Sequence, residues 1–388
     1  MQTPLINDRF FLIYPLNLED LGEIELKEKF ALHFPEVSLI ISNRIPGGIE
    51  IECPFMVGVS LNKILRTPTR ILLRLNEFKC RDFPKLYQKI SKFNWAPWLL
   101  GQIPEIECAA KNSRLFDSRK IAKAIQEGIG QYYRHKPVKK RYLEHLEKIK
   151  THNIEDLPKL YFRSVEDLCT ISIDTTGDRL HLRGEKILTG LAPIRESLAA
   201  LLLIELKKYL PSSPLSLIDP MCGSGTFLIE ATKENALTMN RSFSYIHFPK
   251  TIDEKADPLL QSNLVTKKYI KYFGFDNNAD VIKQAKSNAP ELEFQQMDLF
   301  NSDKINSSLE NPVVAITNPP YGIRVGENIN AEFYQKIITS VKRKFSPEYL
   351  GIIIPNDYKL NVMNDYQIVS IRPFSNGGID VLFYILKL

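Results

Sequence analysis

From about residue 194 onward, the chain alternates short apolar runs with segments of helical periodicity. Strands of a parallel sheet are covered by helices on both faces, so such strands are apolar along their whole length. The alternation therefore restricts the C-terminal half to an α/β fold with a doubly wound, mostly parallel sheet. The expected parallel strands are 215–219, 272–276, 292–297, 313–317 and 350–355.

Two further strand-like runs close the chain, at 366–373 and 379–386. Asn376, Gly377 and Gly378 lie between them, and consecutive glycines supply the positive φ angles that a tight hairpin turn requires. The sequence therefore predicts an antiparallel C-terminal hairpin beside the parallel strands.

Residues before about 165 mix strand-like runs with amphipathic helices, which is typical of an α+β fold. Ser118 is the expected N-cap of a helix whose apolar residues recur at helical spacing from Ile121 to Tyr132. With 388 residues, the chain is long enough for two or three domains. The expected strands of this half are 10–14, 36–42, 69–75 and 103–109.

Positive charge is concentrated in one part of the chain. The net charge is +6, yet residues 111–163 alone hold 14 Lys and Arg against 6 Asp and Glu, so the remaining residues sum to −2. Such a cluster can neutralise nucleic-acid phosphates, and Tyr132 and Tyr133 lie beside it in sequence. A solvated helix face has the same composition, and that alternative stays open. The candidate RNA contacts are Lys111, Arg114, Lys139, Lys140 and Arg141.

The composition excludes several classes of protein. Hydrophobic residues make up 44% and charged residues 25% of the chain, which is the balance of a folded globular protein. The longest apolar stretch, 198–206, is interrupted by Glu205 and is too short to cross a bilayer, and residues 1–20 lack a signal-peptide pattern. The five cysteines are scattered and form neither a disulfide framework nor a metal-ligand pattern. We therefore expect a cytoplasmic protein that binds neither a metal nor a membrane.

The segment DPMCGSGT, at 219–226, lies between an apolar strand and an amphipathic helix. Gly223 and Gly225 lack the Cβ atoms that would keep a ligand away from the backbone, and free N–H groups at the start of a helix favour an anionic group. No Lys follows the glycines, as it does in a Walker loop, and the third glycine of the dinucleotide fingerprint is absent. The segment predicts a turn that approaches a small anionic cofactor group.

Acidic residues follow the next two expected strands. Asp276 ends the second strand, where a carboxylate can accept hydrogen bonds from both hydroxyls of a ribose. Asp298 follows the third strand, where it can accept a hydrogen bond from an adenine amine or orient the adjoining backbone. Because ligands of open α/β sheets bind where the strands end, we expect both carboxylates to lie near the glycine loop.

The fourth expected strand ends in the segment NPPYG, at 318–322. An exocyclic purine amine is a poor nucleophile because its lone pair is delocalised into the ring. The side-chain oxygen of Asn318 and the carbonyl of Pro319 can each accept one amine hydrogen and direct the lone pair at an electrophile. Pro320 adds rigidity, and Tyr321 can stack on a base withdrawn from its helix. These four residues are the candidate catalytic group.

Together, the motifs resemble those of S-adenosylmethionine-dependent RNA guanine-N2 methyltransferases with an N-terminal THUMP domain, in particular the bacterial 23S rRNA branch. The resemblance rests on 219–226, on 318–322 and on GLAPIRE at 190–196, and the segments 240–243 and 376–378 also resemble that branch. In the N-terminal half it rests on softer patterns, at Ser113, Leu115, Phe116 and Ser118 ahead of the Ile121 helix. It covers nearly the whole chain. The implied domains are a ferredoxin-like segment at 1–60, a THUMP RNA-binding domain at 61–165, a β connector at 166–190 and a Rossmann-like methyltransferase domain at 191–388.

The resemblance also implies roles for the residues that match the family's motifs. S-adenosylmethionine is the implied cofactor, with its methionine part near Asp219, its ribose at Asp276 and its adenine at Asp298. Ile323 departs from the pattern, because the family more usually has an acidic residue there. The implied cofactor-binding residues are Ala192, Pro193, Arg195, Asp219, Gly223, Gly225, Thr226, Asp276, Asp298 and Asn318.

The expected activity is transfer of a methyl group to N2 of a guanine in RNA, with 23S rRNA as the first expected substrate. Because the group at 318–321 recognises an exocyclic amine and not one particular base, a tRNA guanine-N2 or an adenine-N6 methyltransferase is the alternative enzyme. The alternative outside enzymes is a non-catalytic RNA-binding or assembly protein with a vestigial methyltransferase fold.

Overall fold

The computed structural model describes residues 7–150, 158–184, 194–211, 215–254, 269–301, 312–321, 330–358, 360 and 365–388. The chain divides into two compact units. The first unit comprises Met1–Ile13, Lys29–Leu180 and Thr238–Leu260. The second unit comprises Tyr14–Glu28, His181–Leu237 and Gln261–Leu388.

Helices and strands account for most of the described residues. None of the described helices is long and apolar enough to cross a membrane. The helices are α1 (Glu19–His33), α2 (Phe55–Ile64), α3 (Phe83–Lys92), α4 (Ser118–His135), α5 (Lys140–Lys150), α6 (Glu196–Lys207), α7 (Thr226–Thr232), α8 (Pro249–Glu254), α9 (Ala279–Asn288) and α10 (Ala331–Phe345), with a 3-10 helix at Ser244–His247. The strands are β1 (Asn7–Ile13), β2 (Ile40–Ile45), β3 (Gly48–Pro54), β4 (Arg70–Lys79), β5 (Ile106–Lys111), β6 (Leu160–Val165), β7 (Leu168–Asp174), β8 (Leu215–Asp219), β9 (Tyr269–Asp276), β10 (Glu293–Gln296), β11 (Val313–Thr317), β12 (Tyr349–Pro355), β13 (Gln367–Asn376) and β14 (Ile379–Lys387).

Within the described residues, the first unit is built on a seven-stranded sheet in the order β2-β3-β1-β4-β7-β6-β5. Neighbouring strands are antiparallel, except that β5 and β6 are parallel. The segment 166–190, where the sequence predicts a connector, supplies β7, which pairs with both β4 and β6. It joins the sheet because Cys169, Ile171 and Ile173 recur at every second position and are buried.

Two local predictions in the first unit are wrong. The N-cap of α4 is Asp117 and not Ser118, because the carboxylate accepts hydrogen bonds from two backbone N–H groups of the first turn, at 3.1 and 3.2 Å. The second strand starts at Ile40, four residues later than predicted. Val37 instead donates its N–H to the carbonyl of Phe34 at 3.0 Å, in the turn that follows α1.

The second unit contains, in the part of the chain that the structure describes, a seven-stranded sheet in the order β10-β9-β8-β11-β12-β14-β13. Strands β8 to β12 run parallel, whereas β14 is antiparallel to both β12 and β13. Leu217 of β8 belongs to a hydrophobic core with residues of α6, α7 and α9, while the adjacent Ile218 belongs to a second core with residues of α10. The predicted α/β fold, doubly wound with a C-terminal hairpin, is confirmed.

The C-terminal hairpin turns at the same edge of the sheet at which the parallel strands end. Pro355, the last residue of β12, pairs with Val381 near the start of β14. Asn376 pairs with Ile379, and the φ angles of the two intervening glycines are 63° and 87°. Positive φ at both central residues is the requirement of a type I′ turn. The topology thus brings the last residue of β13 close to the ends of β11 and β12.

Candidate functional site

A cavity of about 710 Å³ opens in the second unit where the parallel strands end. The strand order reverses between β8 and β11, and such a reversal is where open α/β sheets bind ligands. The volume lies within the range of pockets that hold a small ligand. The predicted site residues that line the cavity are Arg195, Gly223, Asp276, Asp298, Asn318, Pro319, Pro320 and Tyr321.

The two glycines of the loop after β8 have different surroundings. Gly223 lines the cavity at φ 53°, and a Cβ atom added there would meet no atom within 4 Å, so the backbone faces open space. Gly225, at φ 87°, lies outside the lining, and an added Cβ would come within 2.9 Å of the Phe294 ring. Gly223 therefore exposes backbone to a ligand, whereas Gly225 permits close packing beneath the loop.

Asp276 connects the glycine loop to the start of α9. Its Oδ2 accepts the backbone N–H of Gly223 at 3.1 Å, and its Oδ1 accepts the backbone N–H of Asn278 at 3.0 Å. An ionised carboxylate has about four acceptor positions, so two positions remain for ligand hydroxyls. Asp276 thus holds the loop and still presents acceptors to the cavity.

Asp219 lies beneath the cavity and does not line it. Its side chain is 2% exposed, and its Oδ1 accepts the backbone N–H of Met221 at 3.2 Å. Burial raises the pKa of Asp219 to about 8, and the nearby carboxylate of Asp276 acts in the same direction. Thr226, also assigned to the cofactor by resemblance, is buried as well. Asp219 and Thr226 are therefore buried outside the lining, while Gly223 and Asp276 lie on the surface of the cavity.

Asp298 is held by its neighbours on the other side of the cavity. Its Oδ1 accepts the backbone N–H of Phe300 at 2.8 Å, and its Oδ2 accepts the side-chain amide of Asn301 at 2.7 Å. Met297 and Leu299 supply apolar lining beside it. This region combines an acceptor with apolar surface, which suits a planar heterocycle.

Two residues of α10, Phe333 and Lys336, also line the cavity, and no motif in the sequence identifies them. Phe333 packs its ring edge-on against Phe300, with ring centroids 5.9 Å apart. The Lys336 ammonium lies 4.4 Å from the centroid of the Phe300 ring. The two residues are three apart and therefore share one helix face, but that spacing occurs in any amphipathic helix.

The candidate catalytic group lies at the end of β11, facing the glycine loop. The Tyr321 hydroxyl donates to Asn318 Oδ1 at 2.6 Å, and Asn376 Nδ2 donates to the Tyr321 hydroxyl at 2.9 Å. The Tyr334 hydroxyl of α10 donates to the carbonyl of Pro320 at 3.1 Å. The group is therefore fixed by neighbouring side chains as well as by its prolines.

The remaining predicted cofactor residues come from the segment just before α6. Ala192 and Pro193 fall outside the described residues. Arg195 immediately precedes α6 and lines the cavity with an exposed side chain. Among the described ranges, no group of three or more His, Cys, Asp or Glu residues is arranged to hold a metal ion.

The predicted RNA contacts belong to the first unit, and their surroundings differ. Lys111, Arg114, Lys139 and Lys140 are exposed. Arg141 is also exposed, but its guanidinium lies 2.8 Å from a carboxylate oxygen of Asp253. A pairing of this kind lowers the positive charge that Arg141 presents to a phosphate.

Tyr132 and Tyr133, which lie beside the basic cluster in sequence, are engaged in contacts within the first unit. Tyr132 is 4% exposed and donates its hydroxyl to Asn94 at 2.6 Å, and Tyr133 donates to the carbonyl of Leu99 at 2.7 Å. Both side chains are therefore held by contacts within the first unit. Phe116, in contrast, is 77% exposed.

Comparison with known proteins identifies related chains. The ribosomal RNA large subunit methyltransferase K/L of Colwellia psychrerythraea is 25% identical over 86% of this chain and 48% of that protein. A Synechocystis protein named "Putative RNA methyltransferase slr0064" is 28% identical over 80% of this chain and 80% of that protein. This chain therefore spans about half the length of the K/L methyltransferase it matches.

A solved structure and a family model of methyltransferases also match this chain. SMU.472, described as "a putative methyltransferase complexed with SAH", matches with a TM-score of 0.70 and 23% identity over 98% of each chain, which shows a shared fold. The model of UPF0020, the RMKL-like methyltransferase domain, matches residues 183–382. Because that match covers more than half of the chain, the chain belongs to the UPF0020 family of RMKL-like methyltransferase domains.

Proposed function

We propose that this chain transfers a methyl group from S-adenosylmethionine to the exocyclic N2 of a guanine in RNA. The observation that carries the proposal is the cavity, which brings Gly223 and Asp276 to the same space as Asn318 and Tyr321. A cofactor site and an amine site must adjoin for direct transfer between them. Membership of a methyltransferase family supports the same reaction.

The residues on the β8 and β9 side of the cavity fit S-adenosylmethionine. Open backbone at Gly223 leaves room for the methionine part, and the free acceptor positions of Asp276 suit ribose hydroxyls. The apolar surface next to Asp298 suits adenine. When bound, S-adenosylmethionine would supply a methyl carbon on a sulfonium, at which an amine lone pair can form an N–C bond while the C–S bond breaks, S-adenosylhomocysteine leaves and the nitrogen releases a proton to solvent. SMU.472, which shares the fold, is described with SAH.

The residues at the end of β11 fit an exocyclic amine. Asn318 Oδ1 and the Pro319 carbonyl are the proposed acceptors of its two hydrogens, and this contact directs the nitrogen lone pair toward the cofactor side. Tyr321 lies next to Asn318 and lines the cavity, where its ring can contact a purine. Fixed acceptors of this kind accelerate a reaction by orienting the nucleophile before it attacks.

The first unit is the proposed RNA-binding part of the chain. It contains most of the segments assigned by resemblance to a ferredoxin-like region at 1–60, a THUMP domain at 61–165 and a connector at 166–190, whereas Tyr14–Glu28 and the connector from His181 onward belong to the second unit. The first unit's exposed cations Lys111 and Arg114 precede the exposed ring of Phe116, and this combination suits a phosphate backbone with an unpaired base.

Ribosomal RNA of the large subunit is the proposed substrate, because relatives over most of this chain are named for it. A ribosomal substrate implies a cytoplasmic protein. The amine-binding residues alone are compatible with tRNA guanine or with the N6 amine of adenine, so the base and the RNA must be identified directly.

Nucleoside analysis tests the proposed function. Purified protein is incubated with methyl-labelled S-adenosylmethionine and with fractionated rRNA or tRNA from a strain that lacks it, and digested nucleosides are then identified by mass spectrometry. We expect labelled N2-methylguanosine in the 23S fraction. Label in N6-methyladenosine would mean that the target base is adenine, and label in the tRNA fraction would mean that the substrate is tRNA. No label in any fraction would favour a non-catalytic RNA-binding protein.

A further inference from the structure

Three side chains in the cavity form a chain of two directed hydrogen bonds. Asn376 Nδ2 donates to the Tyr321 hydroxyl at 2.9 Å, and this hydroxyl donates to Asn318 Oδ1 at 2.6 Å. An amide nitrogen is only a donor, so the phenol oxygen accepts from Asn376 and its proton is directed to Asn318. The phenol proton is donated to Asn318 Oδ1, so the Asn318 amide presents its oxygen to this hydroxyl.

The fold places Asn376 rigidly for this contact. It is the last residue of β13, and its partner across the hairpin is Ile379, the first residue of β14. The glycines between them adopt the positive φ angles of a tight turn, which fixes the strand ends. Asn376 also lines the cavity. A side chain on a two-residue hairpin has less backbone freedom than one on a long loop, so it can hold a neighbouring hydroxyl in place.

We propose that Asn376 is a positioning residue that acts through the Tyr321 hydroxyl to turn the oxygen of the Asn318 amide toward the target amine, an inference that rests on the function proposed above. An amide oxygen has two lone pairs, so Asn318 can accept from Tyr321 and from the amine together. If the amide rotated by 180°, its NH2 group would face the hydrogens of the amine, and the acceptor would be lost.

Substitutions at both ends of the contact test this role. Asn376→Ala removes the donor to Tyr321, and Asn376→Asp keeps the shape but replaces the donor with an acceptor, which draws the phenol proton away from Asn318. We expect either change to slow single-turnover methylation by about tenfold, the scale of one hydrogen bond, with unchanged affinity for S-adenosylhomocysteine. The control is Ser375→Ala, an exposed neighbour on β13 that does not line the cavity.

A double-mutant cycle decides whether Asn376 acts through Tyr321. Tyr321→Phe removes the hydroxyl and keeps the ring, so Asn376→Ala should slow the reaction little further in that background. Additive losses of rate would overturn the proposal, because Asn376 would then act by another route.

A measurement without RNA separates this inference from the proposed function. In protein labelled with 15N at asparagine, both Asn376→Ala and Tyr321→Phe should shift the side-chain amide signals of Asn318, identified as those lost in Asn318→Ala. Unmoved Asn318 signals would overturn the positioning role even in an active methyltransferase. If those signals shift but the wild-type protein methylates no RNA, the proposed function fails, and the catalytic use of Asn376 fails with it.

Discussion

At the scale of single residues, Asp219 has a raised pKa just below the candidate site. Its carboxyl is buried below the glycine loop, and burial, together with Asp276 nearby, raises its pKa to about 8. In the folded protein without ligand it therefore carries a proton at neutral pH, while the unfolded chain ionises near the ordinary value of 3.8. Asp219 thus makes the free energy of unfolding fall as pH rises from about 4 to about 8.

Cofactor binding should favour the ionised form of Asp219 over the protonated form. The proposed cofactor carries a positive sulfonium, and a positive charge near Asp219 favours the ionised carboxylate, so binding releases a proton. We expect affinity for S-adenosylmethionine to increase between about pH 6 and pH 8, by at most about tenfold per unit, and then to level off. Calorimetry in two buffers with different ionisation enthalpies measures the released proton directly.

Asp219→Asn is the matched control for the pH experiment, since it keeps the shape and removes the titration. It should bind the cofactor with little dependence on pH in this range. A wild-type affinity that is constant from about pH 6 to pH 8 would mean that Asp219 does not respond to the bound cofactor.

At the scale of elements, a buried ion pair secures α7, the helix that follows the glycine loop. The Arg183 guanidinium contacts both carboxylate oxygens of Glu230 at 3.2 Å, and the two side chains are 2% and 1% exposed. We expect Glu230→Gln to lower the free energy of unfolding by about 3–5 kcal/mol, because it removes the negative charge that faces the buried guanidinium of Arg183. Denaturant unfolding measures this change.

An exposed pair on α9 provides the control for this prediction. Asp280 and Lys283 lie 3.0 Å apart, but both side chains are largely exposed. Solvent screens such a pair, so Asp280→Asn should change stability by less than about 1 kcal/mol. Equal effects of the two substitutions would show that the Arg183 pair contributes no more than a surface contact.

The elements also show how far the sequence predicts the fold. The bounds of β8 and β11 match the prediction, because each apolar run ends at a residue followed by proline or by Asn-Pro. The second strand of the first unit was placed too early, since alternation alone does not reveal that Val37 belongs to a turn. The contact between Tyr321 and Asn376 was not predicted either, because only the pairing of β14 with β12 brings residues 55 apart together.

At the scale of the whole molecule, RNA binding should depend on the exposed cations of the first unit. Removal of two phosphate contacts, with Lys139→Ala and Lys140→Ala combined, should lower the slope of log affinity against log salt by about 1.4–1.8. The loss should be similar for all RNAs, since phosphates carry no sequence information. Fluorescence anisotropy at several salt concentrations measures the slope, and affinity for the cofactor should not change.

Arg141→Ala is the control within the same cluster. Because Arg141 is paired with Asp253, its removal should change the salt slope less than either lysine does. An unchanged slope in the double-lysine variant would mean that this cluster is a solvated helix face that does not contact RNA. A large effect of Arg141→Ala would show that RNA competes successfully with Asp253.

The central claim is that Asn318 orients an amine for methyl transfer in a cavity that binds the cofactor independently. Single-turnover methylation by Asn318→Ala, with enzyme in excess over RNA, tests it most directly. We predict a rate lower by about 10²–10³, by analogy with the loss of one preorganised hydrogen-bonding group, together with unchanged binding of S-adenosylhomocysteine and of RNA. A rate near that of the wild-type protein would contradict the claim.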